Sequence, residues 1–191
     1  MRAPATRIWL VRHAPTEWTG RRYCGRADPP LSDEGRRVAR AVAAALAEEV
    51  PPGTPIWASP ARRARATADA IARAVSGAVA IDDELVEVDV GRVEGLTWGE
   101  LSTREPDLAA AIGRGGPVDW PDGESAVALA ARAARVTARI REAAAAGTGI
   151  VVVSHGTILH AVSAQLAGPG EAAPPALEAG GVLRLPGRAA A

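Results

Sequence analysis

The stretch Ile150-Val-Val-Val-Ser-His-Gly156 decides the fold, because four apolar residues in a row end in polar residues and a glycine. Short runs of this kind are typical of strands in a parallel sheet that is covered on both faces. The stretch Ile8-Trp-Leu-Val-Arg-His13 repeats the pattern near the N-terminus. Weaker strands are predicted at Pro55–Ala58, Val79–Ile81 and Val182–Leu185.

Helical patterns lie between these strands. One helix is predicted to begin after Ser32, a residue type that caps helices. A second is predicted to begin at Ser59, because the proline after it suits a first helical position. An Ala-rich helix is expected over about 125–145, and another after Gly156. This alternation predicts a three-layer α/β/α sandwich around a mostly parallel sheet.

A chain of 191 residues fits one domain, which we place over residues 1–191. Within it we expect a short lid at about 95–125, where Gly and Pro cluster between Gly113 and Gly123. The segment 168–191 is rich in Pro, Ala and Gly, a composition compatible with mobility.

Acidic and basic residues balance at 22 each, and every basic residue is Arg. Zero net charge excludes a globally basic nucleic-acid binder and a polybasic membrane protein. The absence of Lys excludes a P-loop and a Schiff-base lysine. No apolar run reaches the roughly 20 residues that cross a bilayer. Cys24 has no second cysteine to pair with. We therefore expect a cytoplasmic protein that binds neither nucleic acid nor membrane, with a homodimer as a possible assembly.

Two of the three histidines follow the two best strands at the same spacing. His13 and His155 each come two residues after the last valine of a strand. Loops at the carboxyl ends of parallel strands build the ligand crevice, at the point where strand order switches. Each histidine alone could equally be an ordinary loop residue. Their matched placement favours one shared pocket, if the two strands are neighbours.

Arginines are too frequent for any one of them to be informative, so position must decide. Arg12 shares the first loop with His13, and Arg62, Arg63 and Arg65 fall near the start of the second helix. A helix N-terminus attracts anions, and a guanidinium adds a planar fork that matches phosphate oxygens. A solvated helix face is the alternative, and only one or two of these side chains can point inward.

Six blocks of sequence share one further property, which is their order along residues 7 to 168. They are Leu10–Trp18, Gly20–Gly35, Ala58–Ala68, Leu85–Gly95, Gly123–Ser125 with Arg132, and Val152–Gly156. In this order they resemble the histidine phosphatase superfamily, also named phosphoglycerate-mutase-like. One such block is a weak signal, whereas this many in register are a strong one.

The resemblance implies a catalytic role for five residues. His13 would be the nucleophile that becomes phosphohistidine, while Arg12, Arg63 and His155 would bind the transferring phosphoryl group. Glu87 would protonate the leaving group. The neighbouring arginines favour a neutral His13, whose other nitrogen must donate to an acceptor such as a backbone carbonyl.

Substrate contacts are expected from the first long loop. Arg22 matches a position just outside the phosphate pocket, and Cys24 can line the pocket. The substrate-binding residues that we expect are Thr19, Arg22, Cys24 and Gly25. Should Glu87 be a surface carboxylate, Glu84 and Asp89 are the alternative proton donors.

Three positions depart from the family pattern. Ala14 stands where Gly is usual after the first histidine, Pro15 where Glu is common, and Thr19 where an Asn often helps to bind phosphate. A threonine hydroxyl can still donate one hydrogen bond. We therefore expect a reshaped entrance with the reaction retained.

The leading hypothesis is a phosphomonoesterase that needs no metal or other cofactor and acts on a small phosphorylated metabolite. The short 95–125 region favours hydrolysis over transfer, because it leaves a phosphoenzyme open to water. An α-ribazole phosphatase and a broad-specificity phosphatase both fit. The alternatives are a phosphoglycerate-mutase-type phosphotransferase, a non-catalytic phosphoester-binding domain and a metal hydrolase. Arg beside the histidines disfavours the last of these.

Overall fold

The computed structural model describes residues 7–147, 149–168 and 170–186 and contains one five-stranded sheet. Its strands are β1 (Arg7–Arg12), β2 (Ile56–Ala58), β3 (Val79–Ile81), β4 (Ile150–Ser154) and β5 (Val182–Pro186). The order across the sheet is β3-β2-β4-β1-β5. All pairs are parallel except β1 with β5, which is antiparallel. The mostly parallel sheet is thus confirmed, and residues 187–191 lie outside the described part.

Six α-helices connect or cover these strands within the described residues. They are α1 (Asp33–Ala47), α2 (Arg62–Val75), α3 (Trp98–Arg104), α4 (Pro106–Gly113), α5 (Ala126–Ala146) and α6 (Gly156–Ala167). Ser32 caps α1 by accepting the N–H of Gly35, as expected. The region proposed as a lid contains α3, α4 and the loop up to α5. No helix of the described chain is both long enough and apolar enough to cross a membrane.

The predicted start of α2 at Ser59 is wrong. The helix begins at Arg62, because the backbone N–H of Ser59 still donates to Val153 on the neighbouring strand, at 3.0 Å. Ser59 therefore continues the pairing of β2 with β4 by one residue. Its hydroxyl lies against His155 rather than at a helix cap.

Alternating side chains of the central strands fill two apolar layers. In β1, Trp9 and Val11 pack on the face covered by α1 and α2. Ile8 and Leu10 pack on the opposite face, against α5 and α6. Each fully buried aliphatic side chain stabilises the fold by about 1.5–3 kcal/mol. Two helical layers on one sheet confirm the predicted three-layer sandwich.

The register of the sheet brings three loops together. Arg12 at the end of β1 pairs with Ser154 at the end of β4, and Ala58 at the end of β2 pairs with Val153. The residues that follow these strand ends therefore emerge side by side. They include His13 and His155.

Candidate active site

The two histidines meet at the carboxyl edge of the sheet. Their ring centroids are 5.1 Å apart, with the planes inclined by 63°. His155 is fully buried, and His13 is 7% exposed. The backbone N–H of His13 donates to the Ser154 carbonyl at 2.8 Å, which continues the pairing of β1 with β4. The sequence predicted that the two histidines would come together if their strands were neighbours. Strands β1 and β4 are neighbours, and the two histidines lie side by side.

A hydrogen bond fixes the tautomer of His13. Its Nδ1 lies 2.8 Å from the carbonyl oxygen of Ala14, which can only accept. Nδ1 therefore carries the proton, and Nε2 keeps its lone pair. Burial lowers the pKa of His13 to about 3; the Ala14 carbonyl opposes this shift, while Arg63 and Arg12 reinforce it. His13 is thus a neutral imidazole at neutral pH, with a carbonyl partner as expected.

His155 has one engaged and one unengaged nitrogen. Its Nε2 lies 2.8 Å from the hydroxyl of Ser59. Its Nδ1 is buried without a hydrogen-bond partner among the described residues. Burial, then the neighbouring His13, Arg63 and Arg12, hold the pKa of His155 well below its usual value.

Arg63 is the inward-pointing arginine of the α2 start. It is 1% exposed, whereas Arg62 and Arg65 are exposed. Its Nη1 donates to the Ala27 carbonyl at 2.6 Å, and its Nη2 donates to the Gly25 carbonyl at 3.1 Å. Its Nε is buried without a partner in the described chain. Two nitrogens of the guanidinium are thus anchored by backbone carbonyls, and Nε is left without a partner.

Arg12 is held in a similar way at the end of β1. Its Nη1 donates to the Leu177 carbonyl at 2.7 Å, and its Nε is buried with no partner that the structure describes. A Cβ at position 156 would come within 3.2 Å of the guanidinium carbon, so Gly156 permits close approach. The C-terminal segment supports Arg12 at two points. The Leu177 carbonyl accepts from its side chain, and the Gly181 carbonyl accepts its backbone N–H at 3.0 Å.

Three buried nitrogens of residues near His13 have no hydrogen-bond partner in the described chain: Nε of Arg12, Nε of Arg63 and Nδ1 of His155. Leaving a buried polar group unpaired costs about 1–3 kcal/mol, and more for a charged group. A tetrahedral oxyanion offers acceptors in several directions at once and would satisfy such donors. The arrangement is therefore that of an anion site beside a neutral histidine.

Glu87 lies at the N-terminus of α6 and lines the same pocket. Its Oε1 accepts from the N–H groups of Val88 at 2.9 Å and Ile158 at 3.2 Å, and its Oε2 accepts from Thr157 at 3.1 Å. Of the two alternative donors, Glu84 instead pairs with arginines of α5. The structure therefore places Glu87, and not Glu84, at the histidine pair.

The pocket in front of His13 has a volume of about 210 Å³. Arg12, His13 and Glu87 line it, while Arg63 and His155 are buried beside His13. The pocket wall also includes the expected substrate-side residues Thr19, Arg22 and Cys24.

Cys24 and Arg22 differ in what they can do there. Burial raises the pKa of the Cys24 thiol to about 11, so a thiolate nucleophile is disfavoured at neutral pH. Arg22 is exposed at the mouth, where its Nη1 donates to the Gly95 carbonyl at 2.7 Å. Arg22 therefore lies on the exposed side of the pocket wall.

Gly25 stands outside the lining of this pocket, in contrast to the sequence expectation. Its carbonyl accepts from Arg63, and its N–H donates to Glu94 at 2.9 Å. A Cβ at this position would lie 2.4 Å from the Val88 carbonyl oxygen. Gly25 therefore acts through its backbone, because only a residue without a side chain fits there.

The departures from the family pattern are accommodated in the loop after β1. Ala14 is fully buried, and its N–H donates to the hydroxyl of Thr67 at 3.1 Å. The hydroxyl of Thr19 accepts the N–H of Thr16 at 2.9 Å, so it shapes the loop as well as facing the pocket. The Pro15 carbonyl accepts the N–H of Ser32 at the start of α1.

Sequence reasoning gave no role to several residues of the site. Thr16, Trp120 and Thr157 line the pocket. Ser59 contacts His155, and the carboxylate of Glu94 accepts the N–H groups of residues 25–27. Ser59 and Glu94 lie inside the sequence blocks that resemble the family, and this position could have marked them as site residues. The residues that they contact are far away in the sequence, so the contacts themselves could not be predicted. Across the described residues, no three His, Cys, Asp or Glu side chains are grouped so as to hold a metal ion.

Comparison with known proteins agrees with this geometry. Residues 8–181 match the histidine phosphatase superfamily, branch 1. The chain belongs to this family. Phosphatases and mutase-like enzymes both occur among its relatives.

Two curated relatives show the range of this similarity. The chain is 38% identical over 157 residues to Bifunctional protein Rv2228c of Mycobacterium tuberculosis. The matched region covers 82% of this chain but 43% of that protein. It therefore spans less than half the length of that relative. It is 32% identical over 164 residues to Phosphoserine phosphatase 1 of Hydrogenobacter thermophilus, covering 85% and 76% of the two chains.

A solved structure gives the same result for the fold. The mycobacterial glucosyl-3-phosphoglycerate phosphatase Rv2419c, in complex with VO3, superposes with a TM-score of 0.81 at 27% identity. The match covers 94% of this chain and 90% of that one. The histidine phosphatase fold thus extends over nearly the whole chain.

Proposed function

We propose that this histidine phosphatase family member is a metal-independent phosphomonoesterase that forms a phosphohistidine at His13. The observation that carries the proposal is the hydrogen bond from His13 Nδ1 to the Ala14 carbonyl. It leaves Nε2 as a neutral nucleophile in a side chain that lines the pocket. Buried cations beside it match the charge of a phosphoryl group in transfer.

The reaction would proceed in two balanced steps. First, Nε2 of His13 bonds to phosphorus while the ester P–O bond breaks, and the departing alkoxide takes a proton from the Glu87 carboxyl group. Second, water attacks the phosphohistidine, its proton returns to the Glu87 carboxylate, the P–N bond breaks and phosphate leaves. Arg12, Arg63 and His155 would stabilise the equatorial oxygens in both steps.

The substrate would be a small phosphorylated metabolite. Phosphoserine and glucosyl-3-phosphoglycerate, which the names of relatives give as their substrates, are candidates alongside α-ribazole phosphate. Water is favoured as acceptor because the 95–125 region supplies only two short helices and a loop over the site. A phosphoglycerate-mutase-type transfer would instead pass the phosphoryl group to a second alcohol.

The test is hydrolysis of an aryl phosphate in excess EDTA, with rapid quenching to trap the phosphoenzyme. We expect turnover to persist, with phosphate found on the peptide that contains His13. His13→Ala should abolish both signals. Arg63→Ala should lower kcat/KM by about 100-fold or more, whereas Arg62→Ala, one residue away and exposed, should stay near the wild-type value.

Other outcomes would select another function. Turnover that EDTA removes would indicate a metal hydrolase, and phosphate binding without turnover would indicate a binding domain. Transfer to an added alcohol in preference to water would indicate a phosphotransferase.

A further inference from the structure

We call the 210 Å³ pocket in front of His13 the phosphate pocket. A second cavity, of about 520 Å³, adjoins it. Tyr23, Trp120 and Thr157 line both cavities. The rings of Tyr23 and Trp120 pack against each other with centroids 5.9 Å apart and form part of the common wall. We name this second cavity, which lies between the end of α4 with the loop that follows it and helices α5 and α6, the side pocket.

The side pocket is apolar where the phosphate pocket is charged. Ile112, Val118 and Leu129 contribute branched aliphatic side chains to its wall. No Arg, Asp or Glu occurs among the described residues that line it, and His160 adds one imidazole. Cavities of this size and composition bind uncharged, ring-containing groups.

The proton donor lies where the two cavities meet. Oε2 of Glu87 accepts the N–H of Thr157 at 3.1 Å, and Thr157 belongs to both walls. In the proposed reaction the ester oxygen must approach Glu87 to receive its proton. The rest of the alcohol is therefore directed past Thr157, towards the side pocket.

Resting on the proposed function, we propose that the side pocket binds the leaving alcohol, and that this alcohol is uncharged and carries a ring. The phosphate pocket, at about 210 Å³, is smaller than the roughly 300–1,000 Å³ of pockets that enclose a whole drug-sized ligand, so a large alcohol must extend beyond it. A leaving group with a second anion, such as glycerate, would find no countercharge in the side pocket. The charged leaving groups of phosphoserine and glucosyl-3-phosphoglycerate are thus disfavoured among the candidates, and the preferred substrates are phosphomonoesters of apolar, ring-containing alcohols.

The first test compares 2-naphthylmethyl phosphate with ethyl phosphate. Both release primary alcohols of similar acidity, so the chemical step is matched and the difference reports on binding of the alcohol. We expect kcat/KM to be at least about 30-fold higher for the naphthylmethyl ester, from burial of its rings. Equal values for the two esters would overturn the proposal.

Matched variants locate the preference. Ala130 lines the side pocket, whereas its neighbour Ala131 on α5 is exposed outside it. Ala130→Trp should remove most of the preference and leave ethyl phosphate hydrolysis near wild type; Ala131→Trp should keep the preference. Val118→Asp, on a loop, should act like Ala130→Trp through charge instead of volume. A preference that survives both pocket variants contradicts the proposal.

A binding measurement separates this inference from the proposed function. In a His13→Ala background, tryptophan fluorescence titration gives the dissociation constants of the same two esters. Tighter binding of the naphthylmethyl ester, lost with Ala130→Trp and kept with Ala131→Trp, supports the side pocket even if the wild type hydrolyses neither ester. Equal affinities would overturn the side pocket while leaving His13 chemistry to its own test.

Discussion

Ser59 Oγ lies 2.8 Å from His155 Nε2, although 96 residues separate the two along the chain. Ser59 follows β2 and His155 follows β4, and these strands are neighbours. Ser59 Oγ also accepts the N–H of Ala61 at 3.3 Å, and its own proton can be donated to Nε2. We propose that Ser59 donates to Nε2, which would place the proton of His155 on Nδ1, the buried nitrogen that could then donate to a phosphoryl oxygen.

Ser59 is therefore expected to position His155 through this hydrogen bond. Ser59→Ala should lower kcat/KM by about 10- to 100-fold, the equivalent of ~1–3 kcal/mol for a buried polar group that loses its partner. Ser59→Thr, which restores a hydroxyl, should recover most of the activity. Nitrogen-15 NMR of the histidine rings provides the decisive reading, because the His155 tautomer should change in Ser59→Ala. An unaltered tautomer would show that Ser59 has no positioning role.

Glu87 should matter most for esters with poor leaving groups. If Glu87 protonates the alcohol, Glu87→Gln should lower kcat/KM for alkyl phosphates by about 100- to 10,000-fold. The loss for p-nitrophenyl phosphate should be much smaller, since its leaving group needs no proton. Steady-state kinetics on the two substrate types checks this. The same loss on both would indicate that Glu87 supports the α6 N-terminus without donating a proton.

Glu94 is expected to act on the anion site from a distance. Its carboxylate accepts the N–H groups of Gly25, Arg26 and Ala27, and two carbonyls of this segment hold Arg63. Glu94→Ala should weaken inhibition by phosphate about tenfold or more, because Arg63 loses its support.

The matched control for Glu94 is Glu105→Ala, which removes an exposed ion pair with Arg92, and neither residue lines the phosphate pocket. Exposed pairs of this kind contribute little to the stability of a fold, because water and salt screen them. Phosphate inhibition should therefore be unchanged in Glu105→Ala. If both variants bind phosphate like the wild type, the link from Glu94 to Arg63 is without effect.

The buried histidines should make the fold less stable in acid. The pKa of His13 is lowered to about 3 in the folded protein, against about 6.5 in an unfolded chain. Between these pH values the unfolded chain binds more protons than the folded one. The contribution of His13 to the free energy of unfolding is therefore fully present above pH 6.5 and is lost as the pH falls towards 3. The expected slope is about 1.4 kcal/mol per pH unit for this histidine.

Urea denaturation between pH 7 and pH 4 measures that slope. His13→Gln removes the titrating group and should lessen the slope by up to that amount. His155, whose pKa is lowered in the same direction, contributes the same sense of change. A slope that is the same in the wild type and His13→Gln would show that His13 is not neutral in the folded state.

Local sequence patterns predict the elements that depend on neighbouring residues. The central strands, the Ser32 cap and the long α5 helix were predicted because each depends on neighbouring residues. The start of α2 was placed too early, because the backbone of Ser59 is held by the adjacent strand, which the local Ser-Pro pattern does not reveal.

By itself, the sequence determined the alternation of strands and helices and the presence of a histidine after each central strand. Only the tertiary structure decided that β1 and β4 are neighbours, that Arg63 and not Arg62 is buried, and that the apolar side pocket shares Tyr23, Trp120 and Thr157 with the phosphate pocket. The physical reason is range. Helix capping and apolar periodicity act over a few residues, whereas a pocket depends on contacts between segments that are far apart in the chain.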